Sequence, residues 1–297
     1  MSTADVATPA RLAGDPQADR QPGAVAQWVR FLRSELGLVF LRPRNLALLA
    51  VLAVIPVLLG VVLRASGSGG GGGSGPAFLN QVAGNGVFLA LLALVTMTTL
   101  ILPLTIAVVS GDSIAGEAGR GTLRTLLTVP AGRTRLLAVK YLAVVIFCLA
   151  ACAVVAGAAL ASGAALFPVG RVTLLSGTTI SLGAGLIRLV LVTLYVGAAM
   201  SALGALGLAI STFTEHSIAA MAALLIIAVG SEVADSVPQI AAVHPYLPTH
   251  WWLSFDALLR SPVAWPELLH GLLSFGVYLV IFLAIAWARF TSADITS

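Results

Sequence analysis

Four histidines, two cysteines and a single lysine are the residues here best suited to chemistry, and none sits in a catalytic pattern. His216, His244, His250 and His270 are scattered, with no His-Glu-x-x-His and no metal-ligand spacing. Hydrolysis within a membrane needs a nucleophile or a metal with its base beside it, and acidic pairs are absent from the middle of the apolar runs. Cys148 and Cys152 lie four apart in one such run and read as small apolar fillers on one helix face. The lone lysine, Lys140, follows Val139, and the chain contains no Gly-x-x-x-x-Gly-Lys-Ser/Thr with which to cradle ATP phosphates. The expectation is a chain with no catalytic residue, no bound cofactor and no metal.

The informative polar stretch runs from Gly111 to Lys140, GDSIAGEAGRGTLRTLLTVPAGRTRLLAVK. It opens with helix-compatible residues and stops at Pro130. Leu123, Leu126 and Leu127 share one face at i, i+3, i+4, while Arg120, Arg124 and Thr128 recur every four residues on another. Glu117 precedes Arg120 by three, within reach of a surface pair. The spacing predicts a short helix over 113–129, offering a leucine ridge and a basic ridge. Its plain alternative is a solvated loop whose arginines set topology.

Composition fixes the setting of that helix. Of 297 residues, 59% are hydrophobic and 9% charged, far below the roughly 25% charge of a soluble domain. Lipid must therefore solvate much of the surface. At about 20 apolar residues per crossing, six crossings fit and twelve do not. The net charge of +4 comes almost wholly from arginine beside apolar runs, which is a topology signal and not a nucleic-acid footprint.

The pattern divides as follows. Residues 1–23 read as a disordered tail without a signal-peptide core. Residues 24–41 form an amphipathic interfacial helix, with Val25, Trp28, Val29, Leu32, Leu36, Val39 and Phe40 as its apolar stripe. Pro43 disfavours helix at Arg42 and separates this segment from the first crossing. The crossings are expected at 45–63, 83–109, 137–160, 186–212, 217–234 and 268–289. A Gly/Ser tract at 66–75 follows the first. The second carries Thr96, Thr98, Thr99, Pro103 and Thr105, with its Pro tolerated where neighbours re-satisfy the backbone. The fourth carries Gly197, Ser201, Gly204 and Gly207 at a spacing that permits close helix contact. With the N-terminus in the cytoplasm, ten basic residues lie at the inner side and four at the outer, leaving aside the tail. Both termini are then cytoplasmic. The outer connection 235–267, with paired Trp251 and Trp252, reads either as a short re-entrant or surface helix or as an interfacial anchor. Arg188, Glu232 and Asp235 are costly charges near its level, either functional or snorkelling to the interface.

The string Glu117-x-x-x-Gly121-Thr122-Leu123-x-x-Leu126-Leu127-x-x-Pro130-x-x-Arg133-x-x-Leu136-Leu137-x-x-Lys140 resembles the permeases of ABC-2-type exporters. In those proteins it lies between the second and third crossings, as here, and segment 24–41 looks like their elbow helix. The resemblance implies an all-α membrane protein of six crossings, in the inner (plasma) membrane. It also implies that helix 113–129 is a cytoplasmic coupling helix docking on a separate ABC ATPase subunit, which holds ATP and Mg. The coupling residues it implies are Glu117, Arg120, Gly121, Thr122, Leu123, Arg124, Leu126, Leu127, Pro130 and Arg133. With six crossings per chain, two permeases, identical or related, would pair around the path.

Candidates for the translocation path are Thr96, Thr99, Thr105 and Glu232. The apolar spans with threonines in the second tilt the expected cargo toward an amphiphilic or lipophilic molecule. Two other function classes remain open: an ATP-independent secondary transporter or channel, for which no inverted repeat stands out, and a membrane-embedded enzyme, which the missing catalytic patterns disfavour.

Overall fold

The computed structural model describes residues 24–65, 85–119, 132–170, 172–173 and 177–292. The chain runs α1 (Ala24–Phe40), α2 (Pro43–Ala65), α3 (Gly86–Thr99), α4 (Ile101–Ala118) and α5 (Arg133–Leu166). A two-residue hairpin, β1 (Val172–Thr173) and β2 (Thr179–Ile180), pairs antiparallel and leads to α6 (Leu182–Ser211) and α7 (Ser217–Asp235). Three 3-10 turns, Pro238–Ile240, His244–Tyr246 and Ser254–Leu259, precede α8 (Trp265–Ser292). Among the described residues, six helices, α2 and α4 to α8, are long and apolar enough to cross a membrane. The protein is an all-α, multi-pass membrane protein.

Proline placement explains the first boundaries. Pro43 stands at the first position of α2, where its missing N–H has no helical partner to lose. The break expected at Arg42-Pro43 therefore falls there, and α2 is longer than the predicted 45–63. Pro103 acts differently from expectation. The single crossing predicted over 83–109 is two helices, broken at Leu100 (φ −140°, ψ −50°). Pro103 has no N–H to give the Thr99 carbonyl, and its ring crowds that carbonyl, so the ladder stops one residue later. It resumes with the Leu104 N–H on the Leu100 carbonyl. The second piece then runs past 109 to Ala118, because its polar residues find partners within the protein. Most of the remaining helices also differ from their predicted ends: α5 extends four residues before 137 and six past 160, α6 starts four residues before 186, and α8 adds three residues at each end of 268–289. Their apolar runs mark the hydrocarbon, while α5, at 34 residues and about 51 Å, exceeds what a crossing needs.

α5 and α6 form the centre of the bundle, with α3, α2 and α1 on α5, α4 on α6, α7 on α4, and α8 on α6. Leu89, Leu94, Ile106, Phe147, Met200 and Leu224 are fully buried between them. Close approaches use small residues. A Cβ on Gly204 would stand 2.7 Å from Val144 Cγ1 of α5, so part of the predicted small-residue stripe of α6 sits against α5. Gly86 and Gly163 bring the start of α3 backbone to backbone with the end of α5.

α2, α7 and α8 turn their apolar side chains outward, as Val54, Leu58, Ile226, Leu273 and Val280 show. Such a surface is stable only in lipid. Trp265 and Trp287, both half-exposed or more, stand about 33 Å apart along α8, close to the ~30 Å of a hydrocarbon core flanked by aromatic residues.

Candidate functional site

The start of α2, the end of α4, the start of α5, the α6–α7 turn and the end of α8 meet at one end of the bundle, against α1. This end, called the base here, holds two groups of paired charges. Asp112 on α4 accepts from Arg42 and from Arg44 Nη2, the latter at 2.9 Å. Lys140 Nζ on α5 donates to Glu117 Oε1 of α4 at 2.6 Å and to Glu35 Oε2 of α1 at 3.3 Å. The Lys140 side chain is 2% exposed, Glu35 6% and Glu117 8%. Glu35, Val39, Arg42, Asn45, Glu117 and Lys140 line one shared cleft.

The charges sort themselves by depth. The Lys140 group carries two carboxylates for one ammonium, and the Asp112 group two guanidiniums for one carboxylate, so the excesses cancel across the cleft. Charges removed from water survive only with partners and hydrogen bonds of this kind. Local sequence makes room for them. Gly116 lies under the Asp112 carboxylate, which a side chain there would strike. Asn45 closes the corner by donating to the Val39 carbonyl at 2.7 Å.

The rest of the base is tied to the same stems. Arg133 Nη1 donates to the Thr291 carbonyl at 2.9 Å, and Trp287 Nε1 to Thr134 Oγ1 at 3.1 Å. Gly119 abuts the Glu215 carbonyl of the α6–α7 turn, and Arg289 covers the Phe213 ring at 5.6 Å. Ile114, Leu136, Leu137, Leu208, Ala286 and Phe290 pack beneath.

Of the predicted coupling residues, Glu117 and Arg133 are in this assembly. Arg120, Gly121, Thr122, Leu123, Arg124, Leu126, Leu127 and Pro130 lie outside the described residues. Two expectations change. Residues 113–118 are the last turns of α4 and do not begin a separate surface helix. Glu117 is also not on the surface: it is buried, and a cation two turns into α5 holds it, while its expected partner Arg120 lies outside the described residues. Sequence reasoning missed Glu35, Lys140, Asp112, Arg42 and Arg44 as a set. Glu35 sits beside Arg33 and Ser34 on the polar side of the α1 stripe, and its partner is 105 residues away.

The predicted path residues are not brought together. Thr96 and Thr99 lie on the exposed side of α3, their hydroxyls bonded back to the Leu92 and Val95 carbonyls. Thr105 is buried and bonds to the Ile101 carbonyl at 2.8 Å. Glu232 is half-buried at the opposite end, one turn from Asp235.

That opposite end is a packed cap. Arg188 Nη1 donates to the carbonyls of Leu258 at 2.8 Å and Arg260 at 3.1 Å, holding the last 3-10 turn. Tyr195 on α6 donates to the Trp251 carbonyl, and Ser231 meets Thr249 at 2.8 Å. Trp252 and Phe255 are buried beneath. The Asp256 carboxylate accepts from Arg260 and pushes that guanidinium's pKa upward. His250 Nδ1 lies 2.6 Å from Asp235 Oδ1, with His244 Nδ1 at 3.8 Å, so two histidines scattered in sequence face one carboxylate. Among the described residues no group of three or more His, Cys, Asp or Glu side chains is placed to hold a metal.

The profile of the ABC-2 family transporter protein covers residues 44–244, two thirds of the chain. The chain belongs to the ABC-2 transporter family. The match begins at Arg44, within the Asp112 group, and runs through α7 to His244, so it includes both stems and the segment between them. ABC-2 proteins are the membrane permeases of ABC-type exporters and generally work with an ABC ATPase. No curated protein matches this ABC-2 chain.

Proposed function

We propose that this chain is the transmembrane permease subunit of an ATP-driven exporter. A separate ATPase subunit, holding ATP and Mg, docks on residues 119–132 at the base. The base faces the cytoplasm, both termini are cytoplasmic, and the membrane is the inner (plasma) membrane. Two permease chains, identical or related, enclose the path. The cargo is amphiphilic or lipophilic, and the exposed threonines Thr96 and Thr99 beside the helix break at Leu100 are the candidates to meet it.

One observation carries the reading within an established family. The segment in the position of the coupling helix is rooted in two stems that Lys140 and Glu117 clamp together. A push on 119–132 is thereby delivered to α4 and α5 together, and through α6 to the rest of the bundle. A ligand drives such a change only by favouring one of two arrangements. Charge supports the orientation. Arg30, Arg33, Arg42, Arg44, Arg133, Arg135, Lys140 and Arg289 are at the base, against Arg64, Arg188 and Arg260 at the cap. Open backbone at Leu100 is tolerated at membrane depth only against protein or water, which favours that face for the path.

The test is the double change Arg120→Glu and Arg124→Glu in the permease–ATPase complex. Export should fall while ATP hydrolysis and membrane insertion persist. Export at the wild-type rate would reduce the basic ridge to a topology signal. Leu123→Asp should weaken co-purification of the ATPase, and unchanged recovery would count against docking there.

A further inference from the structure

We infer that Lys140 is a positioning residue that makes α1 a third arm of the coupling unit, through one ammonium shared by Glu35 on α1 and Glu117 on α4. This rests on the permease reading above for its function, although the tie itself is a property of the chain alone.

The chemistry is specific. Lys140 donates to both carboxylates from within the bundle, and its side chain and theirs are almost wholly buried. α4 leads into residues 120–131 and α5 follows them, so Glu117 and Lys140 fasten the two stems to each other. Glu35 adds a contact from a helix of different character. α1 exposes Val25, Val29, Arg30 and Arg33 on its other side, as an interfacial helix does. Packing alone, with Phe40 against Phe147 at 5.4 Å, would let such a helix slide. The ion pair fixes its register, because a buried carboxylate displaced from its cation has no water to turn to. Arg42 and Arg44, just beyond the end of α1, hold the corner to the same α4 through Asp112. When the stems move, α1 must move with them, carrying a surface-lying helix against the lipid headgroups.

The charge arithmetic separates this role from mere stability. Removing Lys140 alone takes away the one ammonium that Glu35 and Glu117 share and leaves their like charges close together. Replacing all three with neutral counterparts (Glu35→Gln, Lys140→Met, Glu117→Gln) keeps shape and relieves repulsion, but abolishes the directional tie.

Spin labels at Arg33→Cys on α1 and Ala138→Cys on α5, both exposed positions, read the tie by pulsed distance measurement in lipid nanodiscs, in a Cys148→Ala, Cys152→Ala background. The chain alone should give one narrow separation. Lys140→Met and the triple variant should each lose that single peak, and Lys140→Arg should restore it. A narrow peak in the triple variant would overturn the inference, since packing would then suffice. With the cognate ATPase and ADP·vanadate, the α1–α5 separation should stay unchanged while a reference pair, Ala138→Cys with Ile218→Cys, shifts. A wild-type α1–α5 separation that shifts with nucleotide would also overturn it. A static reference pair with an intact α1–α5 tie would instead sink the coupling reading and leave the tie standing.

Discussion

Asp112 receives Arg44 Nη2 at 2.9 Å on the same carboxylate oxygen that receives Arg42, so one acid of α4 closes the corner between α1 and α2. Asp112→Asn leaves two guanidiniums facing each other without a counter-charge. Arg44 is nearly half exposed, so solvent screens part of the loss, and the expected cost is about 1–2 kcal/mol. Thermal unfolding in detergent should show a lower midpoint for the variant, and the gap should narrow as salt is added.

Gly163 and Gly157 lie on the same helix and provide a matched pair. A Cβ at Gly163 would strike the Gly86 carbonyl, whereas one at Gly157 meets nothing within 4 Å. Gly163→Ala should therefore destabilise by about 1–3 kcal/mol, since backbone cannot step aside as a side chain would. Gly157→Ala should be neutral or stabilising by up to ~1 kcal/mol, through helix propensity alone. Equal midpoints for the two variants would contradict the close contact.

Pro103→Ala restores an N–H that can bond to the Thr99 carbonyl. α3 and α4 should fuse, and amide exchange across residues 100–104 should slow. If the path uses this break, export should fall although the protein becomes no less stable. Unchanged exchange would mean that tertiary packing, and not the proline, sets the bend.

Arg188→Met keeps most of the half-buried stem but removes the donor that serves Leu258 and Arg260. The cost should be about 1–2 kcal/mol, felt locally. Faster amide exchange confined to the 254–260 turn, with the base unaffected, is the expected pattern. A global loss of protection would show that the cap and the base unfold together.

Much of the fold was legible because lipid imposes a simple rule: long apolar runs become helices. The boundary at Pro43 could be read because a proline there acts locally, through its own ring. Pro103 was harder. Whether a proline kinks a membrane helix or divides it depends on what surrounds the Thr99 carbonyl, and that is a tertiary matter. The site was less legible still. Glu35 looks like one more polar residue on the outer side of an amphipathic helix, and only α5 packing against α1 turns it inward to Lys140. The polar residues after Val109 looked like the end of a crossing. They continue the helix because Arg42, Arg44 and Lys140 wait for them. His244 and His250 share Asp235 only because the tight turns between residues 238 and 246 fold the segment back on itself, which linear spacing cannot reveal.

Lys140 is the chain's single lysine, and it is sealed inside the base. A protease that cuts only after lysine thus has one target, reachable only in molecules whose base has opened. Its cleavage rate counts those molecules directly, giving a one-cut clock for the opening of α1, α4 and α5 without any label.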